Sequence, residues 1–292
     1  MSTLTATPGT PETPGTPGSP GTAPAAQGRP AYRVTGRRVL SSEWAKLWSL
    51  RSTWITLGLG LLFLVAFGVI AASHYRSGLG SGRPAERDFA DATAVSLSLF
   101  GTNFAQLALG VLGVLVTAGE YSTGMIRSTM AAVPRRLPVL WSKAAVYGLV
   151  ALVVATVGAF AAFLVGGRIV SGTPAAVSLG HTGVVRSLLG AGLYLGLVGV
   201  IGTALGALLR SVAGGISVLV AAFLLVPGLV SLLPSSWQGD INPCLPSHAG
   251  QSLFALTHDS TTLSPGAGLL VFLGWTVLAL AGAAYRLLRS DV

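Results

Sequence analysis

Charge is what this sequence has least of. Of its 292 residues only 9% are Asp, Glu, Lys or Arg, while 51% are hydrophobic. A soluble domain carries about 25% charged residues, so this chain lacks the charge to solvate a globular surface. That excludes a soluble enzyme, a free nucleic-acid-binding domain and a disordered protein, and leaves a polytopic membrane protein. Cysteine is almost missing. Cys244 stands alone, which excludes an intrachain disulfide and a cysteine-based metal cluster. Lysine is nearly as scarce: Lys46 and Lys143 are the only two among eighteen Lys and Arg. Arginine in place of lysine, together with 39 glycines, fits a GC-rich bacterial genome.

Other gaps bear on chemistry. Neither lysine follows a Gly-x-x-x-x-Gly frame, so the chain has no P-loop with which to hydrolyse ATP. No ionisable residue falls in the middle of an apolar stretch, which disfavours an ion-coupled carrier needing an intramembrane site. The four histidines, His74, His181, His248 and His258, fall in loops, and no Ser–His pair can be placed at membrane depth. Cys244, His248, His258 and Asp259 match no zinc spacing. We expect no catalytic, cofactor or metal site in this chain.

What is present is apolar length. Six stretches, near 53–72, 95–118, 139–165, 188–209, 216–233 and 267–288, each approach the ~20 residues that span a bilayer. Residues 1–30 stand apart, with seven of sixteen prolines and a recurring Thr-Pro-Gly. This segment has nothing to bury and reads as a disordered tail, and no apolar run follows Met1 to make it a signal peptide. Residues 31–292 form the membrane domain. Thirteen of the eighteen basic residues lie before span one, between spans two and three, between spans four and five, or after span six, so both termini are expected in the cytoplasm. The net charge of +9 is then a topology signal and does not call for nucleic acid.

Polar residues inside the spans are few. Asn103 and Gln106 in span two and Thr203 in span four either bond across helices or line a pathway. Span four also carries Gly192-x-x-x-Gly196 and Gly202-x-x-x-Gly206. Such spacing lets another helix approach closely; packing within one subunit is the reading adopted, with dimerisation as the alternative.

Two elements on the cytoplasmic side say more. Residues 37–51 place Leu40, Trp44, Leu47, Trp48 and Arg51 on one helical stripe, with Ser41, Ser42, Glu43, Ala45, Lys46 and Ser49 mostly elsewhere. Tryptophan with basic residues just before a span describes an amphipathic helix lying in the membrane interface. Between spans two and three, Ser122 or Thr123 can cap a short helix that runs to about Ala132 and stops at Pro134. Its Met125, Ile126 and Met130 are expected to be exposed, as if for another protein's groove, with Glu120 and Arg127 fixing its angle.

These segments resemble a known family, the permease subunits of bacterial, actinobacterial-like ABC transporters of the type-2 exporter class. The resemblance covers about 38–290 and is carried by three stretches. The first is Glu43-Trp-Ala-Lys46-Leu with Arg51-Ser-Thr-Trp54. The second is Glu120-Tyr-Ser-Thr-Gly-Met-Ile-Arg127, continuing through Pro134-Arg-Arg136 to Lys143. The third is Leu245-Pro-Ser-His-Ala-Gly-Gln251. It implies an all-α, six-span permease in the bacterial plasma membrane, paired with a second permease, identical or not, and driven by a separate ATPase that binds ATP and Mg. It further implies an interface helix at 37–51, with Leu40, Glu43, Trp44, Lys46, Leu47 and Trp48. The coupling helix would be built from Glu120, Ser122, Thr123, Met125, Ile126, Arg127 and Met130, and short re-entrant helices would fall within 234–265. The competing readings are a non-transporting membrane scaffold or sensor and, less favoured, an ion-coupled secondary carrier.

Overall fold

A computed structural model describes residues 35–79, 92–132, 136–256 and 262–289, apart from the side chains of Arg127 and of 130–132. Among the described residues every regular element is helical. Six helices are long and apolar enough to cross a membrane: α2 (Arg51–Gly78), α3 (Ala94–Ser122), α5 (Arg136–Ile169), α6 (Val184–Leu209), α7 (Val212–Val230) and α10 (Pro265–Arg289). A seventh helix, α1 (Gly36–Ser49), precedes them. The short α4 (Met125–Ala132) joins α3 to α5. The connection between α7 and α10 folds into α8 (Ser235–Ile241), a 3-10 turn at Asn242–Cys244, and α9 (Pro246–Gln251). The tail at 1–30, together with Arg135, His258 and Asp259, lies outside the described residues.

Each expected span is present, with ends moved by local chemistry. α3 starts at Ala94 because Thr93 closes a capping box: its hydroxyl accepts from Ser96 N–H while Ser96 Oγ accepts from Thr93 N–H. A 3-10 turn at Leu99–Gly101 interrupts it before Thr102 resumes the α-helix. α7 contains a π-turn at Ala221–Leu225 just before Pro227. That proline has no N–H to offer the carbonyl four residues back, so the ladder must shift there.

α6 is the central post of the bundle. Of its apolar window 72% is buried, against 17% for α7 and 22% for α10. It can occupy the centre because glycine removes side chains where neighbours cross. A Cβ on Gly202 would strike the backbone of Gly110 in α3, and one on Gly113 would strike the backbone of Gly199 in α6. Gly192 and Gly196 face Thr156 and Leu152 of α5 in the same way. The Gly-x-x-x-Gly pairs therefore serve contacts inside this chain. α6 ends at Arg210, whose φ of 53° lies in the left-handed region usually left to glycine, and whose guanidinium covers the Tyr121 ring at 5.4 Å.

Guanidinium groups tie the helix ends together. Arg76 donates to the carbonyls of Ile169 and Ser171, joining α2 to the end of α5. Arg186 reaches Leu253 and Ala255 O near α9, and Arg136 reaches Leu287 O in α10. These contacts sort the bundle into two ends. One gathers the start of α5 and the ends of α3, α6 and α10. The other gathers the ends of α2 and α5, the start of α6, and the α8–α9 connection.

Candidate functional site

The first end carries the chain's densest chemistry. On α1, residues Val39, Glu43, Lys46 and Leu47 share one face, and Val39, Glu43 and Leu47 are buried against the bundle, chiefly against α5. On α3 the helix continues past Ala118, so Glu120 sits within its last turn and is buried. On α5 the helix opens at Arg136, so Lys143 lies two turns inside it and is buried as well. The three elements bring these four side chains to one point.

They close into a ring of alternating charge. Lys143 Nζ donates to Glu43 Oε2 at 2.7 Å and to Glu120 Oε1 at 2.9 Å. Lys46 Nζ donates to Glu43 Oε1 at 2.8 Å and to Glu120 Oε1 at 3.1 Å. The side chains of Glu43, Glu120 and Lys143 are 3%, 5% and 4% exposed; that of Lys46 is 30% exposed. The ring holds both of the chain's lysines and two of its four glutamates. Burying one such charge alone costs several kcal/mol, and the alternation cancels the net charge. Lys46 also donates to Thr129 Oγ1 of α4 at 3.4 Å, so the ring reaches the short helix. Glu120 Oε2 is buried with no hydrogen-bond partner among the described residues.

Burial alone would push the Glu43 carboxyl up, but the charge of Lys143 and the hydrogen bonds from Lys143 and Lys46 outweigh it and hold the group below its ordinary value. Burial would pull the Lys46 ammonium down, yet its bond to Glu43 and the charges of Glu43 and Glu120 hold it above the usual lysine range. Both groups therefore stay ionised at neutral pH. A ring of this kind can bind helices together and transmit force between them.

No protein-family model matches the chain, and no curated protein matches it.

The remaining sequence expectations fall into place around the ring. Leu40, Trp44 and Trp48 are exposed, and Trp48 contacts both Trp44, at 5.5 Å between ring centroids, and Trp54, at 4.2 Å. Leu47 does not share that face; it turns inward with Glu43, which corrects the single stripe read from the sequence. Apolar periodicity assigned Glu43 and Lys46 to the polar side, and nothing local shows that their partners lie on α3 and α5.

Ser122 and Thr123 do not open α4. Both hydroxyls donate back to Gly119 O and finish α3, while Gly124, at φ 73°, makes the turn that starts α4. Ile126 is 6% exposed and belongs to this chain's own interior, so the expectation of an exposed Ile126 is corrected; Met125, at 43%, is exposed. The side chains of Arg127 and Met130 lie outside those described.

Gln106 and Thr203 are buried between α3 and α6. Tyr194 O–H donates to Gln106 Oε1, so Gln106 bonds across helices. Thr203 donates along its own helix to Val200 O at 2.7 Å. Asn103 Oδ1 accepts from Gln251 Nε2 of α9 at 3.2 Å, which links span two to the far connection.

Proposed function

We propose that this chain is the permease subunit of an ATP-driven exporter of the ABC type-2 class, forming the translocation pathway with a second permease and coupled to a separate ATPase. The observation that carries the reading is the ring. Glu43 and Lys46 come from the first motif of the resemblance, and Glu120 and Lys143 bound the second. Residues up to 100 apart in sequence meet at hydrogen-bond distance, beside the helix that the resemblance assigns to ATPase contact.

The mechanism follows from that placement. Closure of the ATPase dimer on ATP pushes α4, whose Met125 faces outward. The push passes through Thr129 to Lys46 and so to the ring, which binds α1, α3 and α5 at one end. Helices clasped there tilt together and open the pathway alternately to either side. α1 lies in the membrane surface with Leu40, Trp44 and Trp48 toward lipid and Arg37 and Arg38 toward headgroups. Both termini face the cytoplasm of a bacterial cell. The cargo is hydrophobic or amphipathic, since few polar groups line the spans.

The test is purification of the tagged full chain from its native membrane, with any P-loop ATPase that co-purifies followed by its ATP hydrolysis. Met125→Asp, which leaves the interior untouched, is expected to lose the ATPase or uncouple its hydrolysis from transport. Normal assembly and transport in that variant would remove the coupling assignment. A chain that works with no ATPase at all would instead be a scaffold or sensor.

A further inference from the structure

At the end of the bundle away from the ring, α8, the Asn242–Cys244 turn, α9 and the start of the segment leading to α10 enclose a cavity of about 510 Å³. That is within the range of small-molecule sites, roughly 300–1,000 Å³. Its polar wall is made of three amides, Gln238, Asn242 and Gln251, the hydroxyls of Ser235, Ser252 and Thr262, and the His248 imidazole. No carboxylate, ammonium or guanidinium lines it among the described residues. Burial holds the His248 imidazole below its ordinary value, which keeps it uncharged at neutral pH.

Much of the hydrogen-bonding capacity at this wall goes unused by the protein. Gln238 spends its Nε2 on the carbonyls of Ser231 and Leu233, at 3.1 and 2.7 Å, and leaves Oε1 over. Gln251 spends Nε2 on Asn103 and likewise leaves Oε1. Asn242 Oδ1 is shut away from solvent and has no partner among the described residues. His248 makes no side-chain hydrogen bond there either. An unpaired buried acceptor carries a desolvation cost, while the Oε1 atoms of Gln238 and Gln251 stay open to a donor brought into the cavity. Two carboxamides that supply acceptors, with no charged side chain among the described lining residues, suit a neutral partner that carries N–H donors.

We infer that this cavity is a binding site for an uncharged amide-bearing small molecule, of the peptide-amide class. The site does not depend on the exporter reading, and it is tied to the bundle interior. Gln251 hands its hydrogen bond to Asn103, whose backbone carbonyl accepts from Gln106 at 3.1 Å, and Gln106 takes the Tyr194 hydroxyl. A ligand on Gln251 therefore bears on the α3–α6 contact.

The chain carries its own reporter. Cys244 is the only cysteine, is exposed, and follows directly on Asn242 and Pro243 in the cavity wall. The rate of its reaction with an impermeant thiol reagent is measured on the full chain in lipid nanodiscs, against rising N-acetylglycinamide. Saturable slowing, at least twofold, is expected. The cation glycinamide, the anion N-acetylglycine and the polyol glucose at the same concentrations are expected to leave the rate unchanged. His248→Leu and Asn242→Leu break no side-chain hydrogen bond given above, and both are expected to keep helical content while abolishing the slowing. Slowing by the charged probes or by glucose, absence of slowing by the neutral amide, or slowing that survives both substitutions would overturn the assignment.

Discussion

Lys143 is the residue on which the ring depends. It is more enclosed than Lys46 and joins a carboxylate of α1 to one of α3. Removing one partner of a buried pair costs about 3–5 kcal/mol because a charge is stranded. Lys143→Met is therefore expected to lower the thermal midpoint in detergent, followed by circular dichroism, more than Lys46→Met does. The double variant Lys143→Met with Glu120→Gln restores neutrality and is expected to recover part of the loss; purely additive losses would dissolve the ring as an electrostatic unit. The pH dependence has two signs. Glu43 is held below its ordinary value, so its contribution is present above the usual carboxyl range and is lost as acid reaches its lowered value. Lys46 is held above its ordinary value, so its contribution is present below the usual lysine range and is lost in alkali. The ring's contribution to the thermal midpoint, read as the difference between the wild type and Lys143→Met, is expected to be level across neutral pH and to shrink at both extremes, and a steep slope of that difference through neutrality would contradict this.

At the scale of the element, glycine decides where helices meet. Gly202 lies against the backbone of Gly110, whereas Gly274 in α10 has open space around it. Overpacking a tight contact costs typically 1–3 kcal/mol, so Gly202→Leu is expected to reduce the yield of monodisperse protein and its midpoint, while Gly274→Leu leaves both nearly unchanged. This much was legible in the sequence, since glycine at four-residue spacing and an apolar run of span length are local patterns. The spans were readable for the same reason, to within a few residues at most ends. What was not legible was any polar group satisfied from far away. Glu43 and Lys46 look solvent-facing until α3 and α5 supply counter-charges, and Ile126 looks exposed until α4 is laid against the bundle. Periodicity sorts residues by polarity, whereas burial is decided by partners. Ser122 and Thr123 misled for a related reason, because a hydroxyl beside two helices can finish one or begin the other.

On the scale of the whole molecule, the ring and the amide-lined cavity occupy opposite ends of six antiparallel helices. Cys244 belongs to the second end and Thr35, just before α1, to the first. In intact cells an impermeant maleimide is expected to modify Cys244, and a cysteine placed at Thr35 in a Cys244→Ser background is expected to stay unmodified until the membrane is opened. The reverse pattern would invert the orientation.

The confinement of both lysines to the ring has an analytical consequence. Apart from its α-amine the chain owns no other primary amine, and both are engaged. Lys143 is enclosed, and Lys46, held above the usual range, offers little free base to an electrophile. Brief acylation with a succinimidyl ester is therefore expected to add a single tag to the folded chain, seen as one mass increment in the intact protein. Each ring that opens adds up to two more. Tag number thus counts, molecule by molecule, how often the three helices clasped by the ring let go of one another.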